Sequence, residues 1–194
     1  QNTLYKVWQL LKYKFMDLPP VNVRVKKNIP HGSGLGGGSS DAACFAKALV
    51  DKFSLDIEKN ELSFLLGRIG ADMPFFLNGP TALVEGIGEI VTPVEFYKKY
   101  RIVLFFPEIT ISTAEIYKKF DLNLTPHQKN IIFKALLQRV DDFDHLSSNF
   151  YNDLEYVVLE MFPQFQKVRE ILIKSGCSYV QMSGSGSSFF GLYN

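Results

Sequence analysis

The spacing of hydrophobic and polar positions changes along the chain, and each change marks an element. Residues 4–13 read as a first helix. Val21-Asn22-Val23-Arg24-Val25 then alternates apolar and polar side chains with β-branched residues at every second place, which predicts a half-buried strand. Further on, Ala42, Ala43, Phe45, Ala46, Leu49, Val50 and Phe53 recur at helical spacing, with Ser39 or Ser40 as the N-cap. A helix near 58–69 and short strands at 81–84 and 89–91 come next. The remainder reads as an α+β unit: a strand at 101–106, a short helix at 113–120, a helical stretch at 126–140, an amphipathic segment at 154–174 interrupted by Pro163, and a strand at 179–182. There is no internal repeat, and the two halves divide at residues 1–97 and 98–194.

Between the predicted strand and helix stands Pro30-His31-Gly32-Ser33-Gly34-Leu35-Gly36-Gly37-Gly38-Ser39-Ser40-Asp41-Ala42-Ala43, in which five of fourteen residues are glycine. Such a loop lets backbone N–H groups turn inward, and the helix start behind it adds unpaired donors and the positive end of a dipole. Phosphate is the ligand these features suit. Two other glycine loops compete with this reading. A Walker-type loop needs a lysine where this chain has Ser39-Ser40. A dinucleotide fingerprint is matched in spacing by Gly32, Gly34 and Gly37, with Asp56 and Glu58 downstream, but the chain beyond the loop does not repeat a βαβ pattern.

The same run resembles the phosphate loop of the GHMP small-molecule kinases. Gly70-Ala71-Asp72-Met73-Pro74-Phe75-Phe76 with Val84-Glu85-Gly86-Ile87-Gly88-Glu89 resembles the second signature of that superfamily, and Met182-Ser183-Gly184-Ser185-Gly186-Ser187-Ser188 its third. Three signatures in one order span most of the chain. Within the superfamily the pattern is most similar to the kinases that phosphorylate the 2-hydroxyl of 4-diphosphocytidyl-2-C-methyl-D-erythritol in isoprenoid precursor synthesis; mevalonate, homoserine and sugar kinases, or a non-catalytic nucleotide-binding module, are the alternatives. The resemblance implies a GHMP kinase fold: a ribosomal-protein-S5-domain-2-like N-terminal domain, here truncated, and a ferredoxin-like α+β C-terminal domain. It also implies an earlier segment with a Pro-Ala-Lys-Ile-Asn-Leu-like strand supplying a catalytic lysine, which no stretch of this chain replaces, so the chain is expected to be a piece of a longer protein.

Residue roles follow from the resemblance. ATP is assigned to Pro30, Gly32, Gly34, Leu35, Gly36, Gly37, Gly38, Ser39 and Ser40, with Mg²⁺ bridging phosphate oxygens. Asp72 is assigned the general base; taken without the resemblance, an aspartate two residues before Pro74 is a turn former or cap. Thr113 and Tyr117 are assigned to the cytosine end of the substrate, against the plainer reading of a helix cap and a core tyrosine. Gly184, Ser185 and Gly186 are assigned to the wall of the site, against a tight turn between strands. Lys26 and Lys27 read as a solvated face, His31 as a loop residue, and His127 and His145 as surface residues without metal spacing.

Composition narrows the partners. With 21 Lys and Arg against 20 Asp and Glu, a net charge of +1 provides no field suited to nucleic acid or an anionic membrane. Cys44 and Cys177 have no metal spacing and are expected as buried free thiols. No apolar run approaches the ~20 residues of a membrane span. The expected protein is a cytoplasmic enzyme with a small-molecule partner, monomeric or a weak homodimer.

Overall fold

The computed structural model describes residues 2–95, 99–107, 109–120 and 142–193. It divides into two compact units, Gln1–Asn28 with Gly36–Phe96 and Ile29–Leu35 with Tyr97–Asn194. The chain passes from the second to the first between Leu35 and Gly36, inside the glycine-rich run.

In the first unit, α1 (Thr3–Lys14) starts at Asn2, whose side chain accepts from the Leu4 N–H, and ends with Lys12 and Lys14 against the negative end of the helix dipole. Val7 and Leu11, one turn apart, are fully buried. They meet α2 (Gly37–Phe53), whose buried face of Ala42, Ala43, Ala46 and Leu49 is small enough for close helix packing. α3 (Lys59–Gly67) contributes Leu62 and Leu66, and α4 (Met73–Asn78), with Pro74 in its first turn, contributes Met73 to the same core. β1 (Ala82–Glu85) and β2 (Ile90–Pro93) form an antiparallel hairpin, Ala82 opposite Pro93 and Glu85 opposite Ile90.

The predicted strand at 21–25 is not a strand. These residues pair with no other strand among the described residues, and Asn22 to Val25 are exposed. Alternation reports a segment able to lie on a sheet; a ladder also needs a partner.

In the second unit, β3 (Arg101–Phe105), β4 (Tyr179–Met182) and β5 (Phe189–Tyr193) form an antiparallel sheet in the order β3-β5-β4. Around it stand α5 (Thr113–Lys119), α6 (Phe143–Asn149), α7 (Asp153–Met161) and α8 (Phe165–Lys174). Pro163 separates α7 from α8, as its missing N–H requires. The core is built on Ile116, Val158, Phe165 and Phe189, all with no exposed surface, the two rings 6.0 Å apart. The predicted helix at 126–140 and His127 lie outside the described residues. Both cysteines are free, but only Cys177 is buried; Cys44 is exposed, because it sits on the face of α2 opposite Ala42 and Ala46.

Candidate active site

In the first unit, α2 begins three to four residues earlier than the serine caps predict. Gly36 is the N-cap, held in the left-handed region at φ 65°, and no side chain caps the helix. The Ser40 N–H donates to Gly36 O at 2.9 Å and the Ser40 hydroxyl donates to Gly37 O at 3.0 Å, so both predicted caps lie inside the first turn. The reason is space. A Cβ on Gly36 would stand 2.6 Å from Cζ of Phe76, so a glycine takes the turn and the helix can start at once. The N–H groups of Gly37, Gly38 and Ser39 therefore lie at a helix start that offers them no side-chain acceptor. Gly38 has open space where a Cβ would stand.

Phe76 ties this helix start to Asp72. Asp72 is the N-cap of α4, and Phe76 follows it one turn later on the same side of the helix. The Asp72 side chain makes no capping bond and is exposed, so the carboxylate is presented to solvent. Lys27 forms an ion pair with Asp41 in the first turns of α2, while Lys26 is exposed.

In the second unit, residues 183–188 connect β4 to β5, and the first half of the glycine run packs on them. The Ser183 hydroxyl donates to Gly34 O at 3.0 Å and the Ser188 N–H donates to Ser33 O at 3.1 Å. Gly34 (φ 73°) lies so close that a Cβ would be 2.3 Å from Ser183 O and 2.7 Å from Gly186 O. The third glycine segment is thus both a turn between strands and the seat of residues 33 and 34. Ser33, Ser185, Ser187 and Ser188 are buried, and the hydroxyls of Ser187 and Ser188 have no hydrogen-bond partner among the described residues. Pro30 and His31 are exposed; Gly32, Leu35, Gly37 and Ser39 are half-buried.

The Thr113 and Ser185 hydroxyls are 2.8 Å apart, which brings two predicted substrate residues together. The plainer reading of Thr113 and Tyr117 does not hold. Ser112 caps α5, its hydroxyl accepting from the Glu115 N–H, and Tyr117 is 60% exposed because Ile116 takes the buried face. His145 is half-buried rather than on the surface: its Nδ1 lies 3.2 Å from the Asn149 amide nitrogen and its ring packs edge-on against Phe150.

Residues that sequence reasoning missed lie behind the third loop. The Asn152 amide donates to Met182 O at 3.0 Å and Gly184 O at 2.7 Å, while its oxygen accepts from the Leu154 N–H to cap α7. Glu155, 6% exposed, accepts from the Met182 N–H at 2.9 Å and from Arg169 at 2.8 Å. The Tyr179 hydroxyl lies 2.6 Å from Gln181 Oε1 and 2.9 Å from Phe150 O. Burial pushes that phenol up to about 12, the Glu155 carboxylate adding to the rise and Arg169 opposing it. The spacing Asn152-x-x-Glu155 was the available signal, a capping-box pattern.

Among the described residues there is no cluster of three His, Cys, Asp or Glu able to hold a metal ion, and no helix long and apolar enough to cross a membrane. A model of the GHMP kinases N terminal domain matches residues 2–80, and one of the GHMP kinases C terminal matches residues 132–194. The chain is 40% identical, over its whole length and 69% of the relative's, to a 4-diphosphocytidyl-2-C-methyl-D-erythritol kinase of Thermodesulfovibrio yellowstonii. It is 36% identical to the kinase of the same name from Bacteroides fragilis, over 100% of this chain and 68% of that one. A crystal structure of 4-(cytidine 5'-diphospho)-2C-methyl-D-erythritol kinase superposes with TM-score 0.83 at 32% identity, covering 99% of this chain and 69% of that chain. A homoserine kinase from Cytophaga hutchinsonii shares the fold, with TM-score 0.73 at 16% identity, covering 98% of this chain and 66% of that chain.

Proposed function

The chain belongs to the GHMP kinases, and on that premise we propose that it transfers the γ-phosphoryl group of ATP to the 2-hydroxyl of 4-diphosphocytidyl-2-C-methyl-D-erythritol. The relatives above 30% identity carry that substrate in their names, whereas the homoserine kinase contributes a fold and no more. One observation carries the chemical reading: an exposed carboxylate, free of capping duty, stands one helical turn from the ring that packs on the glycine at the start of α2.

Phosphoryl transfer leaves little covalent chemistry to the protein, so positioning and electrostatics dominate. The N–H groups of Gly37, Gly38 and Ser39 bind phosphate oxygens at the positive end of α2, and Gly34, Leu35 and Gly36 shape the approach. Asp72 takes the proton of the attacking hydroxyl. The Tyr117 ring offers an exposed face to the cytosine, and the Thr113–Ser185 hydroxyl pair bonds nearby. A tyrosine face stacks on any base, so selection of cytosine rests on further contacts. Mg²⁺ would be carried by the phosphates themselves and keep several of its waters, which suits a site whose described residues offer no cluster of protein ligands. When bound it supplies charge neutralisation on the phosphates.

Labelled ATP offered with the cytidyl substrate, mevalonate and homoserine tests the reading. Transfer to the cytidyl alcohol is expected. Transfer only to another acceptor overturns the substrate, and ATP binding without transfer to any of them supports a nucleotide-binding module.

A further inference from the structure

A buried carboxylate is costly unless something uses it. Glu155 sits 6% exposed in the core of the second unit, with one oxygen on Arg169 and the other on the backbone N–H of Met182. Its partner Arg169 keeps 41% of its side chain exposed, so solvent screens the attraction and the ion pair alone gives little reason to keep the carboxylate. What the carboxylate accomplishes is the placement of one backbone amide at the end of β4. Three residues earlier, Asn152 acts on the same stretch of main chain, with both of its amide protons committed, to Met182 O and Gly184 O. Two side chains at the start of α7 therefore grip the main chain of Met182 and Gly184 through three hydrogen bonds. The helix start itself is fixed from behind, since the Tyr179 hydroxyl meets the carbonyl of Phe150.

The gripped stretch is the entrance to the third glycine segment. Gly184 and Gly186 leave two of its six positions without a side chain to restrict the backbone, so part of its geometry is imposed from outside. The segment in turn holds residues 33 and 34, through Ser188 N–H to Ser33 O and Ser183 hydroxyl to Gly34 O. We propose that Asn152 and Glu155 are positioning residues for phosphoryl transfer, which fix residues 183–188 and, through them, the first half of the phosphate loop. The proposal rests on the kinase reading above. It assigns no contact with ATP or the acceptor to either side chain.

Asn152→Asp is the sharpest test, made in the full-length protein. Aspartate caps a helix as well as asparagine does, so α7 is retained. Its carboxylate, however, faces two carbonyl oxygens where an amide donated. The expected result is faster amide hydrogen exchange at Ser183, Gly186 and Ser188, and a kcat lowered about 100-fold, the scale of an ~1 Å misplacement. The melting temperature should fall by several degrees for the two lost hydrogen bonds even though the cap survives, so kcat is read on the folded enzyme below the transition. A residue that only supports the fold would lower Tm while the folded enzyme kept its kcat. Glu155→Gln keeps an acceptor for the Met182 N–H and should retain at least about ten times the turnover of Glu155→Leu, which keeps none. Unchanged exchange in Asn152→Asp, or faster exchange with unchanged kcat, overturns the proposal. Wild-type protein that fails to phosphorylate the cytidyl alcohol overturns the kinase reading instead, a result separable from either of these.

Discussion

A methyl group at position 34 would stand 2.3 Å from one carbonyl oxygen and 2.7 Å from another, on a backbone already at φ 73°. Gly34→Ala should therefore cost at least the ~1–3 kcal/mol of a strained backbone position, and more for the clash, seen as a lowered urea midpoint. Phosphate-loop function should go with it, so ATP affinity falls. Asp72→Asn should fail in the opposite way. The exposed carboxylate holds no capping bond, so stability and ATP affinity should stay within a few-fold of wild type while kcat drops by about 10² to 10⁴, the usual contribution of a general base. Calorimetry with ATP and a single-turnover assay separate the two phenotypes. A variant with near-normal turnover would remove Asp72 from the chemistry. Gly34 stands out in the sequence because glycines crowd together there, whereas Asp72 stands out only through the resemblance, since an aspartate two residues before a proline is ordinarily a turn former or cap. Asn152 and Glu155 do not stand out, because the pattern they share is that of an ordinary helix start. In the structure Glu155 does not reach back to its own cap; it goes to Met182, twenty-seven residues on.

At the scale of elements, the join of β4 to α7 and α8 carries a titratable group. Tyr179 has its phenol raised from 10.0 to about 12, first by burial and then by Glu155, with Arg169 opposing. The unfolded chain releases this proton near pH 10 while the folded one still holds it. Above pH 10 the folded state therefore binds more protons than the unfolded state, and stability falls as pH rises toward 12. Below pH 10 the contribution is complete. Urea unfolding at pH 9, 10 and 11 should show a steeper fall for wild type than for Tyr179→Phe, whatever offset the lost hydroxyl bonds introduce. Parallel curves would show that the phenol titrates equally in both states. Most helices could be placed from periodicity and punctuation, as Pro163 illustrates between α7 and α8. The start of α2 could not, because serines are such favourable caps that they mask an earlier glycine start. That start depends on the ring of Phe76, a tertiary neighbour distant in sequence.

At the scale of the molecule, the first unit has a hydrophobic core around Leu11, Ala46 and Leu66, and the second has one around Ile116, Phe165 and Phe189 with a smaller cluster at Leu146, Tyr179 and Leu192. Fold class and family were readable because three signatures occur in a fixed order, and the spacing between them carries information that no single glycine run holds. Pairing partners were less readable, since alternation describes one strand at a time. Residues 21–25 show the difference, with the pattern of a strand and no strand beside them among the described residues.

The packing of Phe76 on Gly36 also limits how the sequence can drift. The ring fills the place a Cβ would take, so a larger residue at 36 needs a smaller one at 76, and the φ of 65° penalises any side chain there even then. Substitution at the two positions is therefore coupled.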